Sequence, residues 1–133
     1  MIPEFDERGY LPPGLHRAPI EEVERRFGRQ SELRRVQMES LHWLLDLLQG
    51  KNVKRFVING SFTTEEYEPN DVDCIILIDE PASADEEMLE EALDGLPFLD
   101  IQIVGQERFR YLVETFFYTD RHQTPKGMIE VIL

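Results

Sequence analysis

Two acidic residues, Asp71 and Asp73, stand two apart at the head of an apolar run, Cys74-Ile75-Ile76-Leu77-Ile78. On a β-strand, residues i and i+2 leave the same face, so both carboxylates point one way while Val72 and Cys74 point into the core. Paired carboxylates are hard oxygen ligands of the kind Mg²⁺ takes together with substrate phosphates. Nine residues separate Asp71 from Ser61, the end of Val57-Ile58-Asn59-Gly60-Ser61. Gly60 lets the backbone turn tightly and approach a ligand closely. Ser61 then offers a hydroxyl and a backbone N–H to a phosphate oxygen. Asp100 opens a further run, Asp100-Ile101-Gln102-Ile103-Val104. If that strand neighbours the Asp71 strand, its carboxylate reaches the same site. Three carboxylates with two Mg²⁺ ions serve in-line phosphoryl chemistry. One ion clamps the triphosphate and the other lowers the pKa of the attacking hydroxyl, with Asp100 as ligand or general base.

The elements that must position these residues follow from periodicity and punctuation. Residues 1–17 hold Gly9, Pro12, Pro13 and Gly14, which break regular structure, and are expected to be an extended arm. Pro19 suits the first turn of a helix that Gly28 ends, with Ile20, Val23 and Phe27 on one face. Ser31 suits the cap of a second helix, along which Leu33, Val36, Leu41, Leu44, Leu45 and Leu48 repeat until Gly50. Strands are expected over 53–59, 71–79, 98–104 and 128–133. Ser83 and Glu86 form a capping box for a helix over about 84–94. Phe109, Leu112, Val113, Phe116 and Phe117 mark another helix by their i, i+3, i+4 spacing. The expected fold is α+β, with some α/β character: a small mixed sheet with packed helices. One domain covers 18–133, helical over 18–50 and sheet with helices over 51–133.

Length and charge bound the answer. A chain of 133 residues with 41% apolar residues fits a single domain with a real core. Without about 18 consecutive apolar residues it has no membrane-spanning helix. The lone Cys74 rules out an internal disulfide, and with no secretory signal at the start, a reducing cytoplasm is the expected compartment. Asp plus Glu number 27 against 14 Lys plus Arg, for a net charge of -13. From Phe56 through Glu107 there are 15 acidic residues and no Lys or Arg. Such a surface repels a phosphate backbone, so RNA is disfavoured as a partner, and it suits metal ions and basic proteins better.

Gly60-Ser61-Phe62-Thr63-Thr64, continued through Glu68-Pro69-Asn70-Asp71-Val72-Asp73, resembles the signature of the polymerase-β-like nucleotidyltransferase superfamily, most of all its minimal bacterial and phage members. The arm, Phe5-Asp6-Glu7-Arg8-Gly9-Tyr10-Leu11-Pro12-Pro13-Gly14-Leu15-His16, is similar to the N-terminus of an uncharacterised group within it. The resemblance implies a polymerase-β-like fold preceded by the arm and two helices. It implies that Gly60 and Ser61, with Thr63 and Thr64 beside them, hold the phosphates of ATP or another nucleoside triphosphate. Asp71, Asp73 and Asp100 would be catalytic and would bind Mg²⁺ or Mn²⁺. The reaction would move a nucleoside monophosphate to a hydroxyl and release pyrophosphate. Minimal members often act as antitoxins that add AMP to a partner toxin; related toxins add nucleotides to transfer RNA. Many minimal members carry an arginine shortly after the serine, whereas here Phe62 to Glu68 holds no base and three glutamates. Lys54, Arg55, Lys126 or a partner are the alternative sources of a base, and a catalytically weak module that holds a basic protein is the competing reading.

Other residues read as structural. His16, His42 and His122 lack metal-ligand spacing, and Cys74 reads as an inert core thiol. Phe109, Tyr111, Phe116, Phe117 and Tyr118 could stack a base, but the helical spacing of this aromatic set favours core packing. Arg25, Arg26, Arg29, Arg34 and Arg35 alternate with glutamates, as on a salt-bridged helix surface.

Overall fold

The computed structural model describes residues 1–78, 94–116, 119 and 122–133. Its centre is a mixed five-stranded sheet: β1 (Gly14–Ala18), β2 (Val53–Asn59), β3 (Val72–Ile78), β4 (Leu99–Val104) and β5 (Gly127–Val131). The order across the sheet is β1-β5-β2-β3-β4. β2 runs antiparallel to both neighbours, while β1 pairs with β5, and β3 with β4, in parallel. Three helices accompany it among the described residues: α1 (Ile20–Phe27), α2 (Glu32–Leu48) and α3 (Gln106–Tyr111). The fold is therefore a small α+β one. The helix expected over about 84–94 falls almost wholly outside the described residues.

Local sequence explains the helices. Pro19 caps α1 with its fixed φ of -72°, acidic Glu21 and Glu22 sit in the first turn, and the Gly28 N–H closes the end on the Glu24 carbonyl. Ser31 caps α2: its Oγ accepts from the Arg34 N–H at 3.1 Å. Phe109, Leu112 and Val113 are buried as their spacing requires, but the helix is not α throughout. After Tyr111 it widens into a π-helical turn over Leu112–Phe116. Phe117 and Tyr118 lie outside the described residues.

Period-two alternation then splits the core between the sheet's faces. Phe56, Ile58, Val72, Cys74 and Ile76 pack with Val23, Phe27, Leu41 and Leu44 of α1 and α2. Val57, Ile75, Leu77 and Met128 pack with Phe109 and Leu112 on the opposite side. Asp71 and Asp73 share the parity of Ile75 and Leu77, so they belong to the α3 side.

The extended arm finds its place against the sheet, and one expectation needs correction. The last residues of the arm are β1, in register with β5 from Gly14↔Gly127 to Ala18↔Val131. Ile2 and Leu11 are buried in the core, and the Gly127 N–H donates to the Leu11 carbonyl at 2.9 Å. Arg34 is not on a solvated helix surface. It is 2% exposed, because loop carbonyls surround it in place of water.

Candidate functional site

β2 ends in a turn that only glycine fits. Gly60 has φ 85° and ψ -163°, a region closed to L side chains. A Cβ there would also run into the Asp73 carboxylate. The chain then makes one 3-10 turn over Ser61–Thr63. Its own hydroxyls close it: Thr63 Oγ1 donates to the Gly60 carbonyl at 3.1 Å and Thr64 Oγ1 to the Ser61 carbonyl at 2.7 Å. Thr63 is fully buried and holds the turn together; Thr64 and Ser61 face the cavity beside it.

The acidic loop after this turn is clamped to α2. Arg34 donates to the carbonyls of Phe27, Phe62, Thr64 and Glu66 over 2.6–3.1 Å. Gln37 Nε2 reaches the Pro69 carbonyl at 2.6 Å, and Ser31 Oγ donates to the Tyr67 carbonyl at 3.0 Å. Burial lowers the Arg34 pKa to about 10, partly opposed by Glu66, so it stays protonated at neutral pH. The arm braces the other side: the Glu65 N–H donates to the Gly9 carbonyl at 2.9 Å, and Tyr10 bridges Thr64.

Pairing across the sheet sets the carboxylates. Asp73 lies between Asn59 of β2 and Asp100 of β4, in register with both. Asp73 is half-buried, whereas Asp71 and Asp100 are exposed. Burial first, then the charges of Asp100 and Asp71, push the Asp73 carboxyl up to about 6, against the opposing pull of Lys126. Asn59 is completely buried on the same face, and neither polar atom of its amide has a hydrogen-bond partner. Cys74 is buried on the other face, where desolvation raises its thiol pKa and keeps it unreactive.

A cavity of about 980 Å³ opens in front of these groups. Gly60, Ser61, Thr64, Asp71 and Asp73 line it. Of the nucleotide and metal residues expected from sequence, these five share one cavity, Asp100 adjoins it through Asp73, and Thr63 lies beneath. Tyr10, Tyr111, His122 and Lys126 also line it, from the arm, the end of α3 and the stretch before β5. No local motif marks Tyr10 or His122 as site residues; only the tertiary fold brings them here.

The donor set fits Mg²⁺. Asp71, just before β3, and Asp73, on it, line the same cavity, and burial with the neighbouring carboxylates raises the Asp73 pKa to about 6, a shift that a bound cation would oppose. Among the described residues no three His, Cys, Asp or Glu side chains are gathered as a metal site. Two carboxylates, with phosphate oxygens and water, are a coordination that Mg²⁺ commonly accepts.

Fold and site together define a small α+β protein with a carboxylate pair facing a glycine–serine turn. The chain belongs to a family of unknown function, DUF6932, whose profile matches residues 3–132. Neither a curated protein nor a solved structure matches it. Among the described residues no helix is long and apolar enough to cross a membrane.

Proposed function

We propose that the protein is a Mg²⁺-dependent nucleotidyltransferase with a polymerase-β-like fold, which moves a nucleoside monophosphate, most simply AMP from ATP, to a hydroxyl of a partner protein. One observation carries the reading: Asp71 and Asp73 face the Gly60-Ser61 turn across a single cavity. The turn would hold the β- and γ-phosphates, with the Ser61 hydroxyl and backbone as donors. Mg²⁺ or Mn²⁺, bound by Asp71 and Asp73, would supply charge neutralisation and acidify the acceptor. Asp100 is exposed and beside Asp73, so it is the carboxylate an incoming hydroxyl can meet. It would take the hydroxyl proton as the acceptor oxygen bonds to the α-phosphorus. The bond from that phosphorus to pyrophosphate breaks, and pyrophosphate carries away the electron pair.

A protein acceptor fits the charge better than RNA does, because Arg34 is consumed inside the fold and residues 56–107 hold no base. A role as antitoxin or defence component, acting on a toxin in the cytoplasm, suits an enzyme this small. The competing reading is a catalytically weak module that holds a basic protein; Glu66 in the cavity lining favours it. The test is label transfer. Protein, each α-labelled nucleoside triphosphate, Mg²⁺ or Mn²⁺ and source-cell lysate are combined, beside an Asp71→Asn/Asp73→Asn variant, and products are split into protein and RNA fractions. Label on a protein band that disappears with the variant is expected. Label in RNA would change the acceptor, and no label from folded protein would favour the binding module.

A further inference from the structure

We infer that Lys126 grips the terminal phosphates of the nucleotide, supplying from the start of β5 the positive charge that the acidic loop after Ser61 lacks. The inference rests on the nucleotidyltransferase reading and adds to it the residue that selects triphosphates over monophosphates.

Register carries it. β5 runs antiparallel to β2 with Val57 opposite Glu130 and Ile58 opposite Ile129. Each step along β2 toward the turn is a step back along β5, so the start of β5 lies beside the turn over Ser61–Thr63. Lys126 lines the same cavity as Ser61 and Asp73. Its charge is felt at Asp73, where it opposes the two neighbouring carboxylates. The adjoining backbone is fixed: the Gly127 N–H bonds to the Leu11 carbonyl, and a Cβ on Gly127 would strike the Pro12 carbonyl and the Leu11 side chain. The arm thus holds the chain that presents Lys126.

Arg34 and Arg55 are engaged with other groups, and Lys54 is distant from the turn. Arg34 is buried with its N–H groups on four backbone carbonyls. Arg55 forms a two-point ion pair with Glu130 at 2.7 and 2.8 Å. Lys54 stands five residues before Asn59 on β2, roughly 17 Å from the turn along an extended strand. Among the described residues lining the cavity, Lys126 is the one Lys or Arg. A lysine ammonium is a compact point charge with three donors, well matched to phosphate oxygens. Mg²⁺ between Asp71 and Asp73 would compensate the phosphates nearest the carboxylates, leaving those over Ser61 to Lys126.

Isothermal titration tests this with ATP, AMP and inorganic tripolyphosphate, each with Mg²⁺. Wild type, Lys126→Ala, Lys126→Arg and Asp71→Asn/Asp73→Asn are compared, with a thermal melt confirming that each is folded. Lys126→Ala is expected to weaken ATP and tripolyphosphate by about tenfold or more, the worth of one charged hydrogen bond. AMP binding should be unchanged, and Lys126→Arg should restore most of the ATP affinity. If Lys126→Ala binds ATP as wild type does while the aspartate variant loses it, the role of Lys126 is overturned and the nucleotide site stands. Equal losses for ATP and AMP would also overturn it, since the lysine would then act through Asp73 and not on the outer phosphates. If wild type binds neither ATP nor tripolyphosphate, the nucleotide reading falls and this inference with it.

Discussion

Gly60 and Asp73 each meet two demands at once, and each yields a test. At Gly60 the backbone needs positive φ, and the space a Cβ would take belongs to the Asp73 carboxylate. Gly60→Ala should therefore cost about 1–3 kcal/mol of stability, typical of a side chain forced into strained backbone. It should also displace Asp73, so nucleotide affinity should fall further than the stability loss alone explains. Urea unfolding and ATP titration on the same variant separate the two. For Asp73 the sign follows from its carboxyl pKa, raised from the usual 3.8 to about 6. The folded state holds this proton more tightly than the unfolded chain does. Its ionisation therefore opposes folding, and stability falls as pH rises from about 4 to 6, then levels. Asp73→Asn removes that penalty. In EDTA the variant should melt above wild type at pH 8, and the gap should close as pH drops below about 4. A constant gap across this range would mean that Asp73 titrates like an ordinary surface acid.

At the scale of elements, α2 does the most to hold the site. Arg34 joins its first turn to the loop over 62–66 by hydrogen bonds that a lysine or an apolar side chain cannot replace. Arg34→Met fills similar space but leaves those carbonyls unmet, and about 2–4 kcal/mol should be lost. Hydrogen exchange should show the Glu65 amide, bonded to the Gly9 carbonyl, losing protection along with the loop. Sequence reveals some of these elements well and others not at all. Val53–Asn59 is β-branched and bounded by Gly50 and Gly60, so its limits as a strand are visible locally. The Asp71–Asp73 pair is readable because strand alternation alone puts both carboxylates on one face. β1 is not, since Gly14–Ala18 carries no clear alternation and becomes a strand only by pairing with β5 at the far end of the chain. Arg34 is misread for a related reason: among alternating Glu and Arg it looks solvated, and its burial is decided by carbonyls about thirty residues away. Lys54, Arg55 and Lys126 cannot be ranked from sequence, because ranking them needs the β2–β5 register.

For the whole molecule, the acidic surplus and the cavity belong together. A net charge of -13 discourages long nucleic acid, yet the cavity places a lysine beside the carboxylates, where it would offset part of a triphosphate's charge. The arm completes this arrangement by contributing Tyr10 to the lining, bracing the acidic loop and fixing the chain before β5. Domain and arm are thus packed as one unit, and the family profile takes in both, over residues 3–132. The central claim is that Asp71, Asp73 and the Gly60-Ser61 turn together bind a metal and a triphosphate. The most direct measurement is a crystal structure with Mn²⁺ and an ATP analogue that cannot be cleaved between the α- and β-phosphates. An anomalous peak between Asp71 and Asp73, with phosphate density over Ser61, is the predicted result. Density for the analogue elsewhere, such as the cleft beside Arg55 and Phe109, with no metal at the aspartates, would contradict it.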